Sequence, residues 1–262
     1  MRVRYVRSSC LMALAVLLLS SAASATAADK TAAGAAVPGN ITEVWTFWPK
    51  PGHEKDFETT IKQYAAWRKS AGETFTWSIF QPIVGDDLTY FVIRSSHHQW
   101  KDFDANAVWG AKSKEGDKFG EQVGPYVLRS AHYFSETDPA HSHWTESKDY
   151  KYFSVDTYAM KTGTHAEQKD ALDKIQKAVV DSKWPYSYQI EHQIGGTNPM
   201  VIVTPMKSYA EMADPDPSLM KVMSKSLGSD AAAAAAMKEF GSTIDHHSNT
   251  VYTYRADLST PQ

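Results

Sequence analysis

Apolar and aromatic residues mixed with Thr make "ITEVWTFW", residues 41–48, a β-favouring run until Pro49, Pro51 and Gly52 stop it. From His53 to Ser70 the spacing changes to three and four. Phe57, Ile61, Tyr64 and Trp67 then share one stripe, which predicts a helix ending at Ala71-Gly72. Side chains alternate in "FTWSIFQPI" (75–83), and "LTYFVIRS" (88–95) returns as its partner strand, a hairpin turning at Gly85-Asp86-Asp87. Two less regular stretches, 98–103 and 111–119, read as helical, and "YVLRSAHYF" (126–134) reads as a fourth strand.

The same order then recurs. "YFSVDTYAM" (152–160) predicts a strand, and 165–180 a helix with Leu172, Ile175 and Val179 on its stripe. Residues 186–194 and 200–206 form a hairpin around Gly195 to Asn198, Asp230 caps a helix through Ala231 to Ala236, and 250–258 is the closing strand. At an offset of 111, Phe75 falls on Tyr186, Trp77 on Tyr188, Ile79 on Ile190, Gly85 on Gly196 and Val92 on Val203. "KPGHEKDFET" and "KTGTHAEQKDAL" also give each half a helix that begins at a histidine, His53 and His165.

The pattern predicts a duplicated module, 41–137 and 150–258, joined by an exposed linker at 138–149. A four-stranded antiparallel sheet with helices on one face leaves its other face to be covered. The sister sheet supplies that cover. The expected fold class is therefore α+β, with two tandem ferredoxin-like modules whose antiparallel sheets pack as an intramolecular α+β barrel.

The N-terminus changes the picture of where the chain works. Arg2, Arg4 and Arg7, the apolar run Leu11 to Leu19 and Ala23-Ser24-Ala25 read as a signal peptide over 1–25, followed by a flexible Ala/Gly-rich leader at 26–40. The expected location is exported, periplasmic or secreted, with no membrane attachment after cleavage. Removing residues 1–25 shifts the formal charge from -3 to -6, with 24 basic against 30 acidic residues. Such a chain lacks the basic surface that nucleic acid requires. Cys10, the one cysteine, lies in the removed segment, so no disulfide, thiolate nucleophile or cysteine-ligated metal is expected.

The β-α-β-β-α-β order, "WTFWPKPGHEKDFE" leading into the first helix, and the aromatic second strand resemble the dimeric α+β barrel superfamily over residues 41–136 and 150–257. The resemblance implies a small organic ligand between paired sheets, and haem in some branches. It covers monooxygenases of aromatic polyketides, haem-degrading enzymes, chlorite-dismutase-like proteins and stress-responsive binding modules.

Strand alternation then selects the inner face. If Phe75, Trp77, Ile79 and Gln81 face inward, so do Tyr186, Tyr188, Ile190 and His192. The expected site is an inter-sheet cavity for a small aromatic or apolar molecule, with Trp77, Gln81, Tyr90, Tyr186 and Tyr188 on the ligand and His192 as proton acceptor. No cofactor and no metal site is predicted, with haem as the alternative, and oxygen reactivity would come from the substrate or from haem.

Other readings stay open: a filled aromatic core, or a non-catalytic envelope protein acting through protein–protein contacts. Homo-oligomerisation is also open. There is no G-x-S-x-G, P-loop, dinucleotide glycine pattern or H-E-x-x-H. A metal would require His97, His98, His132, His246 and His247 to converge from different elements, and His141 and His143 read as linker surface.

Overall fold

Both halves follow the order that the periodicity predicts. In the computed structural model, which describes residues 39–260, the first half runs β1 (Ile41–Pro49), α1 (Glu54–Ser70), β2 (Ser78–Val84), β3 (Phe91–His98), α2 (Trp100–Ser113), α3 (Glu115–Gln122) and β4 (Val127–His143). The second runs β5 (Tyr152–Met160), α4 (His165–Ser182), β6 (Tyr188–Ile194), β7 (Met200–Met206), α5 (Leu219–Leu227), α6 (Asp230–Ser242) and β8 (Ile244–Tyr254). The expected signal peptide and nearly all of the expected leader lie outside the described residues.

Local chemistry sets the helix ends. α1 carries Glu54 and Asp56 in its first turn and Arg68 and Lys69 in its last, matching the helix dipole. His53 precedes it without capping, its Nδ1 instead 2.9 Å from Asp56. The cap of α6 is Ser229, whose hydroxyl accepts from the Ala232 N–H at 3.1 Å, and Asp230 is the first helical residue. α5, absent from the periodicity reading, is capped by Ser218 in the same way.

The two sheets do not stack as separate layers. They join into one closed antiparallel barrel, in the order β1-β3-β2-β8-β5-β7-β6-β4. β2 pairs with β8 (Phe80 opposite Tyr254), and β4 pairs with β6 (Phe134 opposite Ile194). Closure gives every edge N–H and C=O a partner, which face-to-face packing of two open sheets would leave exposed. β4 continues through His143, so 138–143 of the expected linker is irregular strand across the junction.

Helices cover the outer face of the barrel. Phe47, Ile79, Phe91 and Ile93 pack against Phe57, Ile61 and Tyr64 of α1. In the second half, Tyr188, Ile190 and Met200 pack against Leu172, Ile175, Val222, Met223 and Phe240.

Candidate functional site

Five of the six residues expected inside the barrel lie outside it. Trp77 meets Tyr64 of α1 at 5.9 Å with tilted rings, and the Arg68 guanidinium is 4.5 Å from its ring. Gln81 accepts from Arg255 Nη1 at 2.7 Å, and the Tyr188 hydroxyl donates to Gln176 of α4 at 2.8 Å. Tyr186 bonds the backbone of Asp216, and His192 sits on the outer rim 3.8 Å from Asp138. Tyr90 alone of the six faces the lumen, its hydroxyl 2.7 Å from that of Tyr252. The physical reason is parity: with a side-chain period of two, choosing the wrong alternate set sends a whole strand to the opposite face.

The true inner set is more polar. Arg94 of β3 donates to Glu191 of β6 at 2.6 Å, Ser135 donates to the other Glu191 oxygen at 2.6 Å, and Gln189 donates to Glu191 at 2.7 Å. Burial alone would raise the Glu191 carboxyl, but Arg94 and these hydrogen bonds outweigh it and hold it low. This ion pair ties the halves together through the lumen.

Titratable chemistry and aromatic surface meet instead on the outer face of β3-β1-β4. Across these strands, Ser95, Glu43 and Phe134 occupy one row and Ile93, Trp45 and His132 the next. Glu43 accepts from Trp45 Nε1 at 3.1 Å and lies 3.1 Å from His132 Nε2. The His132 ring lies flat on Trp45, centroids 4.0 Å apart. Burial would raise the Glu43 carboxyl, but His132, Trp45 and the charge of Arg68 pull it below its usual range.

An unbroken run of ring contacts borders this dyad. His132 meets Phe134 at 5.1 Å, Phe134 meets Phe103 at 4.9 Å, Phe103 meets His98 at 5.3 Å, and His98 lies on Phe75 at 3.7 Å. His98 Nε2 is 2.7 Å from the Ser95 hydroxyl, and burial lowers its pKa. His98 arrives here because β3 bulges at His97, whose φ is 69°. The chain entering β1 crosses that bulge so closely that a Cβ on Gly39 would fall 1.9 Å from the His98 carbonyl oxygen, so only glycine fits.

α2 covers this surface loosely. None of its 14 residues is buried, and Trp100 and Val108 are 50% and 71% exposed. Phe103 and Trp100 rest on Phe134, while Trp109 donates to the Ala71 carbonyl at 2.9 Å. A cavity of about 470 Å³ opens between the end of α1 and the α2–α3 corner, lined by Arg68, Asn106, Trp109, Lys114, Glu115 and Asp117. Arg68 is held there by Glu73 and Glu115.

A carboxylate on one imidazole nitrogen fixes the tautomer and leaves the other nitrogen as a base. In His132 the proton sits on Nε2, facing Glu43, and Nδ1 has no hydrogen-bond partner among the described residues. The arrangement suits proton abstraction by Nδ1. The strand 126–134 was legible from sequence and His132 was noted as a metal candidate, yet Glu43 carried no signal beyond sharing a face with Trp45 and Phe47.

No protein-family model matches the chain, and no curated protein matches it in sequence. Solved structures match in fold. Two chlorite dismutase variants from Candidatus Nitrospira defluvii align with TM-scores of 0.52 and 0.51, at 7% and 8% identity, covering 84% of this chain and 92% and 93% of theirs. An anthrone oxidase-like protein aligns with a TM-score of 0.50 at 11% identity, covering 82% of this chain and 91% of its own. The chain has the ferredoxin-like dimeric α+β barrel fold, built from one polypeptide.

Haem, implied by the superfamily for some branches, finds no free ring nitrogen at His141. Both ring nitrogens of His141 are taken by Asp138 and Asp173. His132 has Trp45 against its face and Phe134 at its edge, with Glu43 on Nε2. The outer face of the second half is filled by buried Leu172, Ile190, Met200, Met223 and Phe240.

Proposed function

We propose that the protein is a cofactor-free oxidase or monooxygenase acting on a planar aromatic compound, with the reaction on the outer face of β1 and β4 beside α2 and not in the barrel lumen. The observation that carries this reading is the Glu43–His132 dyad, whose Nδ1 has no hydrogen-bond partner among the described residues and whose ring lies against Trp45 and Phe134. The anthrone oxidase-like neighbour supports the class of chemistry.

In this reading Trp45, Phe134 and Phe103 stack the substrate, and His132 Nδ1 removes a proton from an acidic ring CH₂. Glu43 holds the imidazolium that results. The carbanion then reduces dioxygen directly: one oxygen atom becomes the carbonyl of the product, and the other leaves as water with the two hydrogens of the CH₂ group. The chain itself supplies no redox group to this step.

Oxygen consumption with anthrone as probe tests it. Turnover by the purified protein that is lost in His132→Gln, with the fold intact by circular dichroism, supports the proposal. A Soret band in protein from its native compartment that disappears in His132→Gln would replace it with haem chemistry. We propose in addition that the chain is exported and cleaved near Ala25 or Ala27; N-terminal sequencing of the mature protein that begins at Met1 would refute this.

A further inference from the structure

Trp45 touches both members of the dyad. Its indole N–H donates to Glu43 Oε1 at 3.1 Å, the same oxygen that lies 3.1 Å from His132 Nε2, and its face carries the His132 ring at 4.0 Å with planes 14° apart. We propose that Trp45, besides stacking the substrate, is the positioning residue of the dyad: it holds the Glu43 carboxylate against His132 Nε2–H and the imidazole flat, so that Nδ1 is the nitrogen left to act as base. This rests on the assignment of His132 as the base.

Three observations carry it. First, both bonds to Glu43 have one possible direction. An indole N–H only donates and an ionised carboxylate only accepts, so the proton at the His132 contact belongs to Nε2. The other charged neighbours, Arg68 in the last turn of α1, Glu73 just beyond it and His98 at the end of β3, act on Glu43 through space.

Second, Trp45 is itself fixed by the core. Phe47 lies beside it with ring planes 6° apart, and Phe47 is buried against Phe57 of α1 and Phe119 of α3. This line of rings ties the dyad to packed side chains that cannot drift.

Third, the second half divides the same two duties between two residues. There Tyr158 stacks on His247 at 4.6 Å, while Asn249 donates to Asp156 Oδ1 at 3.0 Å, the oxygen that lies 2.8 Å from His247 Nε2. A carboxylate oxygen shared between an imidazole and a neutral N–H therefore stands on both halves. In the first, one tryptophan supplies ring and donor together.

The test is carbon-13 NMR titration of Glu43 in the purified protein, with His132 nitrogen-15 shifts and anthrone turnover measured alongside. Trp45→Phe keeps a ring and loses the donor, and replacement of Trp45 by benzothienylalanine keeps the whole ring shape with sulfur where the N–H stood. The Trp45 N–H is among the groups that hold the Glu43 carboxyl low. Both variants should therefore raise the proton affinity of Glu43 about tenfold, the loss of one hydrogen bond to a charged group, and lower the share of His132 protonated on Nε2. With the benzothienyl ring, kcat should fall about tenfold while KM stays within about twofold, because the stacking surface is kept. An unchanged Glu43 titration in that variant assigns Trp45 to packing and overturns the proposal. An unchanged kcat overturns it too, while His132 stands as base if His132→Gln has lost turnover. If His132→Gln keeps turnover, the base assignment falls first, and the part of Trp45 in catalysis falls with it.

Discussion

The two halves carry the same small device on their outer faces, and only one of them encloses it. In the first half His132 lies on Trp45 and bonds Glu43, two residues before that ring; in the second, His247 lies on Tyr158 at 4.6 Å and bonds Asp156 at 2.8 Å, again two residues before. The positions are not equivalent by duplication, since at the offset of 111 Trp45 falls on Asp156 and Phe47 on Tyr158. The device recurs because outward residues two apart on one strand share a face with the residue opposite on the next.

What differs is the cover. His132 and Glu43 side chains are 32% and 16% exposed beside Phe134, Phe103 and Trp100, whereas His247 and Asp156 are 44% and 27% exposed. The helices of the second half are pinned to their sheet by Val222, Met223, Ala233, Ala236 and Phe240, while α2 buries nothing. Tight helix packing makes a core, and the looser cover of α2 leaves the dyad of the first half beside partly exposed rings.

The comparison breaks most visibly in turnover. His132→Gln should lower anthrone oxidation by ~10²- to 10⁴-fold, the usual contribution of a general base, and His247→Gln should leave it unchanged. Equal losses in steady-state rates would remove the distinction between the halves.

The next largest effect concerns what joins them. Glu191→Ala strands Arg94 inside the lumen and should cost ~3–5 kcal/mol in urea unfolding, whereas Arg94→Met combined with Glu191→Leu should recover most of it. Helix packing sharpens the contrast further. Met223→Ala on the buried face of α5 should cost ~2–5 kcal/mol, but Trp100→Ala on α2 well under ~1 kcal/mol, and α2 amides should exchange with solvent faster than those of α6.

The smallest expected effect lies at the seam. Burial disfavours the charged form of His141, but Asp138 and Asp173, at 2.6 and 2.8 Å, outweigh it and raise its pKa. A raised folded-state pKa gives stability that is complete below the unfolded value of about 6.5 and disappears as pH climbs through the folded one. His141→Gln should thus cost about 1–2 kcal/mol near pH 6 and less near pH 9, measured by unfolding at both.

Fold was far more legible than site. Strands 152–160 and 200–206 matched residue for residue, since each is a β-favouring run with turn residues at both ends. α2 and α3 were blurred because no buried stripe marks them. The expected inner face was misassigned because Phe75, Trp77, Ile79 and Gln81 alternate just as well with Thr76, Ser78 and Phe80, and apolar side chains suit either the lumen or the layer under the helices. His141 read as exposed linker because nothing local reveals the Asp173 carboxylate brought to it by α4.

By itself the sequence determined what short-range physics can write: the periods of strand and helix, their stops, and the repetition of one order in two halves. Tertiary structure alone decided which strand face became lumen, which edges joined, and which histidine met a carboxylate across strands. Those outcomes depend on pairings between residues some ninety positions apart, such as Glu43 with His132 and Arg94 with Glu191, and no local pattern encodes them.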